Sequence, residues 1–229
     1  FSTDCGNTTT IAIPDSNFEQ ALINLGFDTN GLNGNILETN ALAITNLNVN
    51  NSNISSLQGI EAFANLEILF CQGNQLEVLD ISQNLALVTL ECETNQFSTL
   101  DVSNNTALKV LGCANNNLSS IDVSNNLLLE ALWFTNNNIT SLNLDVNTAL
   151  NVYGLSNNPL VYMSIKNGNN ANMQYIEALN LPTLTCIQVD DENAAYLSSW
   201  NVDSSISFSE NCGDLWTVYT SDTNVDVAL

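Results

Sequence analysis

The chain has no histidine and no arginine, and its two lysines, Lys109 and Lys166, stand against 24 acidic residues, for a formal net charge of −22. Without histidine there is no Ser–His or Cys–His pair to generate a nucleophile. Without basic side chains nothing can neutralise phosphates, so nucleic acid is excluded as a partner, and anionic membrane surfaces with it. No apolar run reaches the roughly 18 residues that a membrane span requires, so no membrane insertion is expected. What the charge leaves open is cation binding, solubility in high salt, or a basic partner. The chain opens on Phe1 rather than methionine, from which we expect that an upstream segment has been removed or left out.

What is present is periodicity. Segments 66–86, 87–107, 108–128, 129–149 and the one opening at Leu150 start 21 residues apart, and each reads L-x-x-[LY]-x-[CFL]-x-x-N-x-[LFI]. A fixed period of 20–29 with this leucine spacing marks a leucine-rich repeat solenoid. Within each unit the motif returns: Leu66/Leu69/Cys71/Asn74 is followed by Leu76/Leu79/Ile81/Asn84, and so along the chain. Alternation such as L-x-C is the period-2 signature of a strand with one buried face. The expected fold is therefore a mainly β solenoid of parallel strands stacked coil on coil, two short strands per coil, in two opposed sheets. The Asn columns 74/95/116/137/158 and 84/105/126/147 fit inward amides that hydrogen-bond the turn backbone from coil to coil.

On residues 44–165 the chain resembles the leucine-rich repeat family, and more narrowly the bacterial nested 21-residue class common in secreted Bacteroidetes proteins. Residues 44–65 resemble a 22-residue internalin-like unit, with Ile44, Leu47, Val49, Ile54 and Leu57 in phase and Ser52 where Asn belongs. The expected organisation is a tail or linker at 1–12, an N-terminal cap at 13–43, repeats at 44–165, a C-terminal cap at 166–213 and a linker or tail at 214–229. A terminal coil exposes its core and must be capped. In the N-terminal cap a helix starts near Asp15, with Ser16 and Glu19 as a capping box and Phe18, Leu22 and Ile23 as its apolar stripe. The stretch from Cys186 to Gly213 resembles the group's C-terminal cap. Phe1–Gly6 nearly repeats Phe208–Gly213, as the tail of a preceding similar unit in a tandem protein would.

Six cysteines invite a disulfide framework. Cys71, Cys92 and Cys113 occupy one column, however, and are expected as buried free thiols, since parallel side chains on neighbouring coils give poor disulfide geometry. No histidine accompanies them for zinc. Cys186 and Cys212 fall in the C-terminal cap and are expected to pair, which implies secretion or the cell surface. Cys5 is left over.

The candidate sites are few. Glu91 and Glu93 point the same way, but on an open sheet both would be solvated alike, whereas an acid–base pair needs two environments, so no enzyme is expected. Asp28, Asn30 and Asn33 lie in a Gly/Asn-rich stretch with partial likeness to a calcium loop, and also fit a plain turn. Asp80, Asp101 and Asp122 form a carboxylate column in which neighbours about 5 Å apart repel by roughly 0.8 kcal/mol in water. Serines 82, 103 and 124, turn amides or a bound cation such as calcium could compensate. No other cofactor is implied. On the first-strand face the outward positions run Phe70, Glu91, Gly112, Trp133, Gly154, then Gln72, Glu93, Ala114, Thr135, Ser156. Phe70 and Trp133 are large apolar groups where water belongs, which marks Phe70, Gln72, Glu91, Glu93, Trp133 and Thr135 as a ligand face. The family resemblance implies recognition or adhesion. A protein ligand is the leading expectation, with a glycan ligand or a passive spacer in a tandem adhesin as alternatives.

Overall fold

The computed structural model describes residues 9–213. Residues Phe1–Gly6 with Cys5, and 214–229, lie outside it. One sheet runs the length of the solenoid. It stacks strands Asn46–Asn48, Ile68–Phe70, Thr89–Glu91, Val110–Gly112, Ala131–Trp133, Val152–Gly154, Tyr175–Ala178 and Asn201–Val202 in chain order, all parallel. The register is in step from coil to coil: Phe70 pairs with Glu91, Glu91 with Gly112, Gly112 with Trp133, and Trp133 with Gly154.

The second sheet is shorter than the half-repeat pattern implied. Ser141–Asn143, Tyr162–Ser164, Cys186–Gln188 and Ser207–Ser209 form it, again all parallel. In the earlier coils the matching segments around Asp80, Asp101 and Asp122 bury the same side chains but form no strand. There each Asp Oδ1 accepts the N–H two residues on, from Ser82, Ser103 and Ser124, at 3.0, 2.9 and 2.9 Å. A backbone N–H held in such a side-chain turn is withdrawn from a sheet ladder.

The core is one continuous column. Leu66, Leu69, Cys71, Leu76, Leu79 and Ile81 of one coil are all buried, as are their counterparts in the next. Each fully buried leucine contributes about 1.5–3 kcal/mol. The asparagine ladders close the turns. Asn116 Nδ2 donates to Cys92 O and Cys113 O at 3.2 and 3.0 Å, and its Oδ1 accepts the Phe97 N–H at 3.1 Å. Asn74, Asn95, Asn137 and Asn158 make the equivalent bonds. The second ladder is only half used: Asn84, Asn105, Asn126 and Asn147 donate to two carbonyls each, while their buried Oδ1 atoms accept nothing from the protein.

Just before each asparagine of the first ladder the backbone turns left-handed, at Gly73, Thr94, Asn115, Asn136 and Asn157 (φ between 54° and 66°). Glycine and asparagine tolerate that region; a β-branched threonine does so only under strain. The Asn–Asn doublets of the sequence thus have two jobs, one residue for the turn and the next for the ladder.

At the N-terminus the helix spans Ser16–Asn24, and here the expected capping box is corrected. Asp15 is the cap: its Oδ1 accepts the N–H groups of Asn17 and Phe18, and its Oδ2 accepts from the Ser55 hydroxyl and the N–H groups of Ser55 and Ser56. One carboxylate therefore ends the helix and fastens it to the first coil. Glu19 is free to turn inward, where its Oε1 accepts the N–H groups of Asn33, Gly34 and Asn35. The cap also begins before residue 13, since Thr10–Ala12 pair antiparallel with Asn35–Leu37. At the other end residues beyond 165 continue both sheets, and Cys186 and Cys212 form the disulfide.

Candidate functional site

The outward face of the long sheet carries three rows fixed by the register. The middle row reads Asn48, Phe70, Glu91, Gly112, Trp133, Gly154, Glu177. Beside it Gln72, Glu93, Ala114 and Thr135 follow the strands, and none of these four is fully buried. On the opposite flank lies a row that sequence reasoning missed: Ile68, Thr89, Val110, Ala131, Val152 and Tyr175, of which the first five are half-buried and Tyr175 is exposed. The alternation of apolar and polar residues around each inward leucine could have indicated it, because both neighbours of that leucine must point outward.

The two glycines of the middle row shape the surface. Trp133 lies flat across Gly154, where an added methyl group would collide with the indole, and its ring meets that of Tyr175 at 5.6 Å between centroids. The Tyr175 hydroxyl donates to Glu177 at 3.2 Å. Across the sheet the Glu93 carboxylate lies over Gly112 in the same manner. Gln72 donates its amide to Glu91, while Gln72 Oε1 and Glu93 Oε2 are shielded from solvent and accept nothing from the protein. Burial pushes the Glu93 carboxyl above its ordinary range; its own N–H opposes the shift, Glu91 adds to it and the Gln72 amide opposes it. Phe70 is half-buried beside this group. The structure thus brings Gln72, Glu91 and Glu93 into one cluster and sets Trp133 two strands away, with Gly112 between.

The other candidates are held in local structure. Asp80 and Asp101 are drawn below the ordinary carboxylate range by hydrogen bonds from Ser82 and Ser103, side chain first and backbone second. A shallow groove lined by Val78, Asp80, Ser82, Thr99, Asp101 and Asn104 runs along that side. Cys71, Cys92 and Cys113 are buried free thiols, each pushed up by burial, Cys113 to about 12.

In the loop after the helix, Asp28 Oδ1 accepts the Asn30 N–H, Asn30 Nδ2 donates to Asn35 Oδ1, and Asn33 Oδ1 accepts the Asn35 N–H. The expected ligand set Asp28, Asn30 and Asn33 is therefore largely occupied by the loop itself, although buried Asp28 Oδ2 accepts nothing from the protein. Burial raises the Asp28 carboxyl; the Asn30 N–H opposes this and Glu19 reinforces it. Among the described residues no group of three or more His, Cys, Asp or Glu could hold a metal ion, and no helix is long and apolar enough to cross a membrane. The two lysines stand elsewhere: Lys109 pairs with Glu130 at 3.0 Å and Lys166 donates to Glu210 O.

No protein-family model matches the chain, and no curated protein does. Solved structures do. Internalin F of Listeria monocytogenes is 25% identical with a TM-score of 0.62, over 85% of this chain and 58% of that one. Internalin C2 of the same organism is 15% identical with a TM-score of 0.55, over 86% of this chain and 95% of the other. The functional domain of InlJ, also from Listeria monocytogenes and described as including a cysteine ladder, is 22% identical with a TM-score of 0.42, over 87% and 61%. The chain thus spans about three fifths of internalin F and of the InlJ domain. Its fold is that of the internalin-like leucine-rich repeat proteins of bacteria, a solenoid with a 21-residue period and parallel stacked strands. Such neighbours suggest a protein-interaction module.

Proposed function

We propose that the chain is a non-catalytic recognition module, secreted or displayed at a cell surface, that binds a protein through the outward face of its long sheet. The observation that carries this reading is Trp133, half-exposed on a sheet surface, laid across Gly154 and against Tyr175. A side chain with no role outside the molecule would be better polar at that position, because a large aromatic group in contact with water forfeits the gain of burial. The face also differs from coil to coil, whereas the Asp/Ser side repeats one turn three times. Variation on a regular scaffold is what a specific surface needs, and a rigid aromatic at its centre is the usual anchor. The disulfide between Cys186 and Cys212 supports an oxidising compartment.

The test is a screen of the purified chain against arrayed extracellular proteins and, in parallel, a glycan array. A protein partner whose affinity falls about tenfold or more in Trp133→Ala and in Phe70→Ala, with folding retained, is the expected result. Capture of sugars alone would replace protein by glycan as the ligand class. A partner indifferent to both substitutions would remove the proposed face.

A further inference from the structure

Accepting that the long sheet is the binding face, its chemistry narrows the partner. Glu91 and Trp133 stand two strands apart on the middle row, about 10 Å by sheet spacing, with only Gly112 between them. The result is a trough one strand wide. One wall is the cluster of Gln72, Glu91 and Glu93 and the other is an indole. Both Gln72 Oε1 and Glu93 Oε2 are acceptors without a donor from the protein. The chain's two basic side chains are committed to Glu130 and to Glu210 O, so neither supplies the donors. We propose that this trough receives an arginine side chain presented by a basic segment of a partner protein, its guanidinium lying over Gly112 between the Glu91 and Glu93 carboxylates and the face of Trp133.

Each component fits that group better than it fits the alternatives. A guanidinium is planar, presents several N–H donors in a fixed fork and stacks on aromatic faces. Two carboxylates on one side use the fork, and the indole on the other side uses the plane. A metal ion would have no use for the indole and finds no third acidic ligand among the described residues. A sugar would stack on the indole but leave two carboxylates facing hydroxyls. The absence of a side chain at Gly112 is what admits the ligand: any Cβ there would meet the Glu93 carboxylate. In the free protein that carboxylate rests on Gly112; an arriving cation would draw it upward and leave the glycine as the floor. The formal charge of −22 adds long-range attraction for a basic segment, which steers the encounter without choosing the site.

The experiment uses the full chain and a short peptide of alternating arginine and glycine, with the same peptide carrying citrulline, a neutral isostere of arginine, as its control. Binding is followed by calorimetry and by indole fluorescence in about 0.15 M salt, where diffuse attraction is screened within about 8 Å. The arginine peptide is expected to bind and the citrulline peptide not. Glu91→Gln/Glu93→Gln and Trp133→Ala should each weaken binding about tenfold or more. Asp80→Asn/Asp101→Asn/Asp122→Asn removes three charges from the other side and should change it by less than about twofold. Thermal unfolding of each variant confirms that it is folded. Weakening in proportion to the charge removed, wherever it is removed, would mean an ion atmosphere and overturn the proposal. If the peptide fails to bind but Trp133→Ala still abolishes capture of an arrayed protein, arginine recognition is wrong and the binding face stands. If neither peptide nor arrayed partner depends on these residues, both fall.

Discussion

The two asparagine ladders look alike in sequence but should not be equally costly to break. Replacing Asn116 by alanine leaves the Phe97 N–H with no acceptor, because Asn116 Oδ1 is its only partner. Cys92 O and Cys113 O each lose one of two amide donors, keeping those of Asn95 and Asn137. An orphaned buried N–H costs about 1–3 kcal/mol and each lost second donor roughly 0.5–1 kcal/mol, so Asn116→Ala should cost about 2–4 kcal/mol. Replacing Asn126 takes one donor from Val102 O and one from Asn105 O. Both carbonyls keep a backbone N–H, from Asn105 and Leu108, each at 3.0 Å. Its Oδ1 had nothing to lose. Asn126→Ala should therefore cost only about 1 kcal/mol beyond the small cavity that the two variants share. Urea unfolding of both variants, followed by circular dichroism and by tryptophan fluorescence, measures the difference. Equal costs, or a larger cost at Asn126, would show that amide satisfaction does not set the energy of these turns.

Three further outcomes are expected. Thr94 holds a left-handed backbone at φ 57°, where neighbouring coils use asparagine or glycine, so Thr94→Asn should raise stability by about 1 kcal/mol; a loss would reveal a compensating contact of the threonine side chain. The two cap carboxylates should titrate in opposite senses. Burial works against ionised Asp15, but hydrogen bonds from Ser55, Phe18 and Ser56 outweigh it and lower its pKa, so its stabilising contribution is present above the unfolded value of 3.8 and lost as pH falls through the lower folded value. Asp28 is raised, so its ionisation penalty is absent below 3.8 and grows as pH rises through the folded value; Asp28→Asn should stabilise the chain at neutral pH, whereas a calcium-dependent loss of stability in that variant would restore the loop as a cation site. Reducing the Cys186–Cys212 bond, which spans 26 residues, should cost about 3.5 kcal/mol on loop entropy, with hydrogen exchange rising in the last coils, while native thiol labelling spares Cys71, Cys92 and Cys113; labelling of any ladder thiol would contradict its burial.

The repeat was legible because every coil solves the same packing problem. Leucine at the inward positions, asparagine at the turns and a 21-residue return are each imposed by stacking, so Leu69, Leu90, Leu111 and Leu132 could be placed inside, and Phe70 and Trp133 outside, before any coordinates. The cap was less legible. Asp15, Ser16 and Glu19 all suit a helix start, and the choice among them rests on contacts with residues 33–35 and 55–56, which no local pattern encodes.

By itself, then, the sequence determined the solenoid, its register, the inward thiols and which side chains face out on the long sheet, since these follow from a short period repeated many times. Only the tertiary structure decided how the outward side chains meet. That Trp133 lies across Gly154 to reach Tyr175, 42 residues away, and that Glu93 lies across Gly112, depends on contacts between coils. So does the break in the second sheet, where the aspartate turns hold the N–H groups that a ladder would need. Period and polarity say which way a side chain points; the neighbour on the next coil says where it comes to rest.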